Sequence, residues 1–243
     1  MALIAVKNTS LADNVFKQLT AEIVSGRYAP GSTIPSERAL SEVFSVNRHV
    51  VREATKRLEQ IGLVTVVQGG GTKVLDLRAT AGLDLLAVLA EHVEAVDSLL
   101  PLLNDVLEMR ASNAADMARL CALRGSKAVG DQLVEIADQL ATVTNDTNML
   151  ALEQRFWQVV LDGADNLAYQ LAFNSLMRGI LAIPELSIPW LRQELGSSDY
   201  RRPIAAAIAT GDADGAEKVT RVALAPDPKV FESFLRTSKA ATG

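Results

Sequence analysis

The sequence predicts a mainly α protein in two parts, a small N-terminal one that ends in a hairpin and a larger one built of helices alone. Three observations carry this. Apolar residues recur at spacings of three and four in nearly every segment of the 243-residue chain. Strand composition is confined to one place, "LVTVVQGGGTKV". The charge is unevenly divided: residues 1–78 hold ten Lys/Arg against seven Asp/Glu, net +3, whereas residues 79–243 hold 14 against 22, net −8, which together give the chain its −5. The expected domains are therefore 1–78, basic, and 79–243, acidic.

In the first part, Leu11, Val15, Phe16, Leu19, Ile23 and Val24 form one apolar helix face. Gly26, Pro30 and Gly31 in "SGRYAPG" stop that helix. "IPSERALSEVF" restarts it, with Pro35 and Ser36 at the beginning and Leu40 and Val43 expected to face inward. After a turn at Ser45 and Val46, Asn47 can cap a third helix whose core face is Val50, Val51, Ala54, Leu58 and Ile61. Gly62 ends it, and "LVTVV" and "TKVL" around "QGGG" read as a hairpin with a tight glycine turn. Three helices and a hairpin make a winged helix-turn-helix. On the third helix Arg48, His49 and Arg52 fall opposite the apolar stripe near the N-terminal end, where a recognition helix meets base edges.

From Ala79 onward strand patterns vanish. "GLDLLAVLAEHV", "LLPLLNDVLEMRASNAADMARLCALR", "VGDQLVEIADQLATV", "MLALEQRFWQVVLDGA", "LAYQLAFNSLMRGILAI", "RRPIAAAIATG" and "ADGAEKVTRVAL" each read as a helix with a wide apolar face, separated by Gly, Pro, Asn or Asp. An all-α antiparallel helical bundle accommodates them. No apolar run approaches the ~18 uncharged residues of a membrane span, and "MALIAVKNTSLADN" lacks the basic start of a secretory leader. The expectation is a cytoplasmic protein with no membrane partner. The single cysteine, Cys121, has no second cysteine to pair with and is expected to be a buried bystander.

"GSTIPSERALSEVFSVNRHVVREATKRLEQIGLVTVVQGGGTKV" resembles the DNA-binding domain of GntR-type bacterial transcription regulators, over residues 11–75, and the all-helical remainder resembles that of the FadR subfamily. "KVLDLRATAGLDLLAVLA" and "ALEQRFWQVVLDGADNLAYQLAFNSLMRG" are similar to stretches of its fatty-acid-responsive member. The resemblance implies a homodimer on double-stranded operator DNA, with Arg38, Arg48 and Arg52 as contacts and Gly69 at the wing tip that enters the minor groove. Guanidinium forks suit guanine O6/N7 or phosphate, and a turn without a side chain suits a groove about 6 Å wide. Asn47 stands where the family usually has Ser or Thr, and Gln68 where the fatty-acid regulator has a wing histidine. His49 is a further candidate contact.

The subfamily's usual metal site of one aspartate and three histidines has no counterpart. Its positions resemble Glu153, Trp157, Arg201 and Ala223, and the only histidines, His49 and His92, lie elsewhere. No metal and no cofactor are expected. Phe156 and Trp157 would instead wall an apolar pocket with Arg110, Arg178 and Arg201 at its mouth and Asn174 nearby, which suits a long-chain fatty acyl-CoA or a related effector. In the alternative, Trp157 fills the space a metal left and the arginines pair with Glu108 or Glu153. A regulator answering a small organic acid shares every feature of the DNA-binding half, and an architectural DNA protein would not need so large a helical domain. Catalysis is not expected: G-x-S-x-G, H-E-x-x-H and phosphate-loop patterns are all missing.

Overall fold

The computed structural model describes residues 10–92, 96–182 and 200–225. The chain divides into two compact units, Met1–Glu94 and Ala95–Gly243. The first contains α1 (Leu11–Val24), α2 (Glu37–Val43), α3 (Arg48–Gln60), β1 (Val64–Val67), β2 (Gly71–Val74), α4 (Leu77–Thr80) and α5 (Leu85–His92). The second contains α6 (Val96–Arg124), α7 (Lys127–Leu140), α8 (Asp146–Ala164), α9 (Leu167–Ala182), α10 (Arg201–Ala209) and α11 (Ala213–Ala223). All seven helical segments expected beyond the hairpin are present in their described residues; Val93 and Ile183, at two of their ends, lie outside these. Among the described residues no helix is long and apolar enough to cross a membrane.

The first unit is built around Val15, Phe16, Leu19, Leu40, Val51, Ala54 and Leu58, all buried where α1, α2 and α3 meet. Helix α1 starts with a reciprocal cap: the Asp13 amide donates to Ser10 Oγ and the Ser10 amide donates to Asp13 Oδ2. The same aspartate takes a hydrogen bond from Arg57, whose guanidinium lies 4.2 Å from the centre of the Phe16 ring. This contact therefore ties the start of α1 to the last turn of α3. The Arg57 hydrogen bond is the main reason Asp13 stays ionised below the usual carboxylate range.

Three local features depart from the sequence expectation. Val43 is 74% exposed, because α2 has only two turns and Leu40 alone reaches the core. Leu11 is exposed at the first turn of α1 rather than part of its packed face. The hairpin also gains a third extended segment at residues 31–34. The Ile34 amide donates to the Thr72 carbonyl at 3.0 Å, the Val74 amide to the Ser32 carbonyl at 2.8 Å, and the Gly31 amide to the Val74 carbonyl at 2.8 Å.

Beyond the hairpin the chain is fastened back to α3. The Thr80 hydroxyl donates to the Gly62 carbonyl at 2.8 Å, and a Cβ on Gly62 (φ 76°) would stand 2.5 Å from the Thr80 carbonyl oxygen. Helix α5 then lies against α1 and buries Leu85 and Leu89. In the second unit, small residues let helices approach closely. Ala111, Ala114, Ala115, Ala118 and Ala122 are buried along α6, against which α8 and α11 pack, and Gly130 of α7 faces Ala209 of α10 with no room for a side chain between them. Cys121 is fully buried here, and burial pushes its thiol up to about 11.

Candidate nucleic-acid interface and ligand-binding core

Helix α3 begins where the sequence places it. The Asn47 side chain accepts from the Val50 amide at 3.0 Å, satisfying one of the amides that a helix start leaves without a partner. That cap fixes the first turn, so Arg48 and His49 stand exposed at the N-terminal end, with Arg52 one turn further on the same side. The chain enters the turn through Ser45, whose φ of 53° lies in the left-handed region that non-glycine residues avoid.

Arg38, on α2, is exposed and donates from Nε to Glu42 Oε1 at 3.1 Å within its own helix. Arg52 instead reaches across to α2, donating Nε to Glu37 Oε1 at 3.2 Å and Nη2 to Glu37 Oε2 at 2.9 Å. These hydrogen bonds hold the Glu37 carboxyl below its ordinary range, and the positive charge of Arg48 adds to the effect. Arg48, Arg52 and Glu37 thus form one charged cluster at the junction of α2 and α3, a contact between helices that sequence spacing does not reveal.

The hairpin pairs Val64 with Val74 and Val67 with Gly71. Its turn closes through the Gly70 amide donating to the Val67 carbonyl at 2.9 Å, which leaves Gln68 and Gly69 at the exposed tip. Gly69 has φ 75° and open space around it, so this position requires glycine for backbone conformation and not for room. The wing is also fastened to α3, since the Val66 amide donates to Glu59 Oε1 at 3.0 Å.

In the helical unit, three residues close around Glu153 of α8. The Arg201 Nε donates to Glu153 Oε2 at 2.5 Å, the Trp157 indole N–H donates to Oε1 at 2.9 Å, and the Tyr200 hydroxyl donates to Oε1 at 3.4 Å. The Arg201 guanidinium is stacked 4.0 Å from the Tyr200 ring centre, and Phe156 meets Trp157 edge to face at 5.5 Å. Arg201 is only 1% exposed. It is therefore an internal cation bound to a carboxylate and not a fork at a pocket mouth, the arrangement expected when the arginine pairs with Glu153. Burial pushes the Glu153 carboxyl up, but the charge and hydrogen bond of Arg201, aided by the charge of Arg110 and the Trp157 N–H, hold it below the ordinary value.

The positions that resemble the subfamily's metal ligands are thus drawn together as Glu153, Trp157 and Arg201, but this donor set does not fit a metal. Only one of the three is a ligand, and a guanidinium already neutralises it. Among the described residues no group of three or more His, Cys, Asp and Glu comes together as a metal cage. Asn174 and Arg178 are exposed on α9, where Asn174 accepts from Gln170 and Arg178 donates to Ser175 Oγ at 3.0 Å. A second polar cluster has no counterpart in the sequence pattern: Asp116 of α6 accepts from the Tyr169 hydroxyl of α9 at 2.8 Å and pairs with Arg119. Partners 53 residues apart leave no sequence signal.

Residues 11–74 match the family described as bacterial regulatory proteins, gntR family, and residues 105–225 match the FCD domain. The HTH-type transcriptional regulator Mce2R of Mycobacterium tuberculosis is 33% identical over 225 residues, covering 91% of each chain. The fatty acid metabolism regulator protein of Edwardsiella ictaluri is 32% identical over 174 residues, covering 70% of each. Among solved structures, that of Lar, which controls the expression of the Listeria monocytogenes agr system, is similar in fold, with a TM-score of 0.52 at 16% identity over 95% of this chain and 99% of that one. The capped basic helix, the glycine-tipped wing and the helical unit that follows them in sequence are those of a transcription regulator and not of an enzyme: the chain belongs to the GntR family of bacterial regulatory proteins, with an FCD domain as its helical half.

Proposed function

We propose that the protein is a homodimeric regulator of fatty-acid or lipid metabolism that holds a pseudo-palindromic operator through α3 and the wing, and that a long-chain fatty acyl-CoA bound in the helical unit loosens that hold. The observation that carries the DNA half is the exposed basic first turn of α3, fixed by the Asn47 cap and followed by Arg52. Arg38, Asn47, Arg48, His49, Arg52, Gln68 and Gly69 are its contacts. A single such module buries only about 600–1,000 Å² on DNA, which favours two modules acting together. The effector half is supported by the relative named as a fatty acid metabolism regulator and by the apolar surroundings of Phe156 and Trp157.

A second reading has one observation in its favour. Arg201 is held by a carboxylate inside the core, so a small organic acid that competes with Glu153 for the guanidinium would also serve as effector. Either ligand weakens operator binding only by preferring the conformation that binds DNA poorly. A preference of about a hundredfold is worth about 2.7 kcal/mol. The test is an anisotropy titration on a duplex selected by the protein from a random-sequence library. Oleoyl-CoA at low micromolar concentration should release the duplex while coenzyme A alone does not. Release by neither, with release by a dicarboxylic acid, would replace the lipid by the small acid.

A further inference from the structure

Arg52 is gripped along only one of its edges. Nε and Nη2 both face Glu37, at 3.2 and 2.9 Å, and neither Nη1 nor the second proton of Nη2 has an acceptor among the described residues. A guanidinium offers two edges of parallel donors, Nε with Nη2 and Nη1 with Nη2. The carboxylate takes the first and thereby fixes the plane in which the second lies. The pair is accessible, with the Arg52 side chain 57% exposed and that of Glu37 38% exposed. Glu37 is itself the first residue of α2, where a helix start favours a carboxylate. A pair this exposed adds at most about 1 kcal/mol to stability, and what its two-point grip fixes above all is the orientation of the guanidinium.

We propose that Glu37 is a positioning residue for sequence reading. By holding the Nε–Nη2 edge of Arg52, it presets the Nη1–Nη2 edge as a two-donor fork for O6 and N7 of one guanine. The exposed arginine side chain thus reaches DNA already oriented and loses less rotational freedom on binding than an untethered one. The carboxylate has a second effect: beside the fork it repels phosphate and base acceptors, so it opposes binding to sequences that offer Arg52 no guanine. Glu37 therefore raises the ratio of specific to non-specific affinity, although its charge opposes that of DNA. This inference rests on the DNA reading proposed above and goes beyond it by assigning a role to an acidic residue.

The experiment uses the full chain. A site is selected with the wild type from random duplexes, and anisotropy is then measured on labelled duplexes carrying that site, its single-base-pair substitutions, or a scrambled sequence of equal composition. The variants are Glu37→Gln, Glu37→Ala, Arg52→Ala and the double Arg52→Ala/Glu37→Ala. At the base pair read by Arg52, the wild type should discriminate by about tenfold or more. Both Glu37 variants should discriminate there by no more than about threefold, while binding the scrambled duplex as well as the wild type or better. In the Arg52→Ala background, Glu37→Ala should change discrimination no further, because there is no fork left to orient. Full discrimination in Glu37→Gln overturns the proposal. So does an equal loss on the selected and scrambled duplexes, which is what a merely structural role would produce. If the wild type selects no sequence at all, the DNA reading itself fails and this inference falls with it.

Discussion

Two of the Glu–Arg pairs that bridge separate helices are alike in chemistry and opposite in setting. Glu37–Arg52 joins α2 to α3 in the open, with side chains 38% and 57% exposed. Glu153–Arg201 joins α8 to α10 in the core, at 10% and 1%. In water the attraction is screened and what remains is geometry, a fixed direction for an arginine that has a surface to meet. In the core, both ions have lost their hydration and each is tolerable only because of the other. The same two side chains can therefore serve to aim a contact or to hold a core together, and burial decides which.

The largest expected effect comes from breaking the buried pair. Glu153→Leu leaves the Arg201 cation without its carboxylate and should lower the unfolding free energy of the protein by about 3–5 kcal/mol, read by urea titration. The double variant Glu153→Leu/Arg201→Met should recover most of that loss. If the double variant is no better than the single, an uncompensated charge is not the cause.

The pair should also set a pH response. The folded Glu153 carboxyl lies below its unfolded value of about 4.3, so its contribution is fully present above that value and is lost as pH falls through the folded one. Arg201→Met removes the cation that does most to hold the carboxyl down and leaves burial, which pushes it up, opposed only by the charge of Arg110 and the Trp157 N–H. The variant then favours a protonated Glu153, and its deficit relative to wild type should shrink between pH 7 and pH 5. A constant deficit over that range would break the assignment.

Smaller effects belong to the exposed region. Asn47→Ala removes the α3 cap and should cost about 1 kcal/mol, and weaker binding to a selected duplex should accompany it, because Arg48 and His49 sit on the turn that frays. Ser45→Gly should act in the other direction and stabilise by up to about 1 kcal/mol, since glycine accepts a φ of 53° without the strain a side chain brings. Glu37→Gln gives the smallest effect of all, an unchanged thermal midpoint. A clear drop in that midpoint would make the exposed pair structural after all.

Much of this was legible in sequence because the signals are local. Asn47 before an amphipathic run is a cap, three glycines between β-branched runs are a hairpin, and each helix of the second unit carries its own apolar period. The missed features are those that depend on distant partners or on very short segments. The extended stretch at residues 31–34, flanked by Pro30 and Pro35, is too short to show alternation, and only its hydrogen bonds to residues 72–74 make it a strand-like partner. Val43 has the spacing of a core residue, but a two-turn helix has only one side turn to bury. Glu153 and Arg201 are 48 residues apart, and the family resemblance, not the residue pattern, places them in one site.

The fastening of Thr80 to Gly62 bears on how such proteins can be recombined. A fusion joint after Arg78 would look natural from the charge pattern, yet it would remove the hydroxyl that satisfies the Gly62 carbonyl at the end of α3. It would also remove Leu85 and Leu89, whose buried side chains belong to the helix that lies against α1. A joint after Glu94 carries both along. A reading head exchanged between regulators should therefore be transplanted together with the start of what looks like its neighbour, since part of the support for its recognition helix is encoded downstream of the wing.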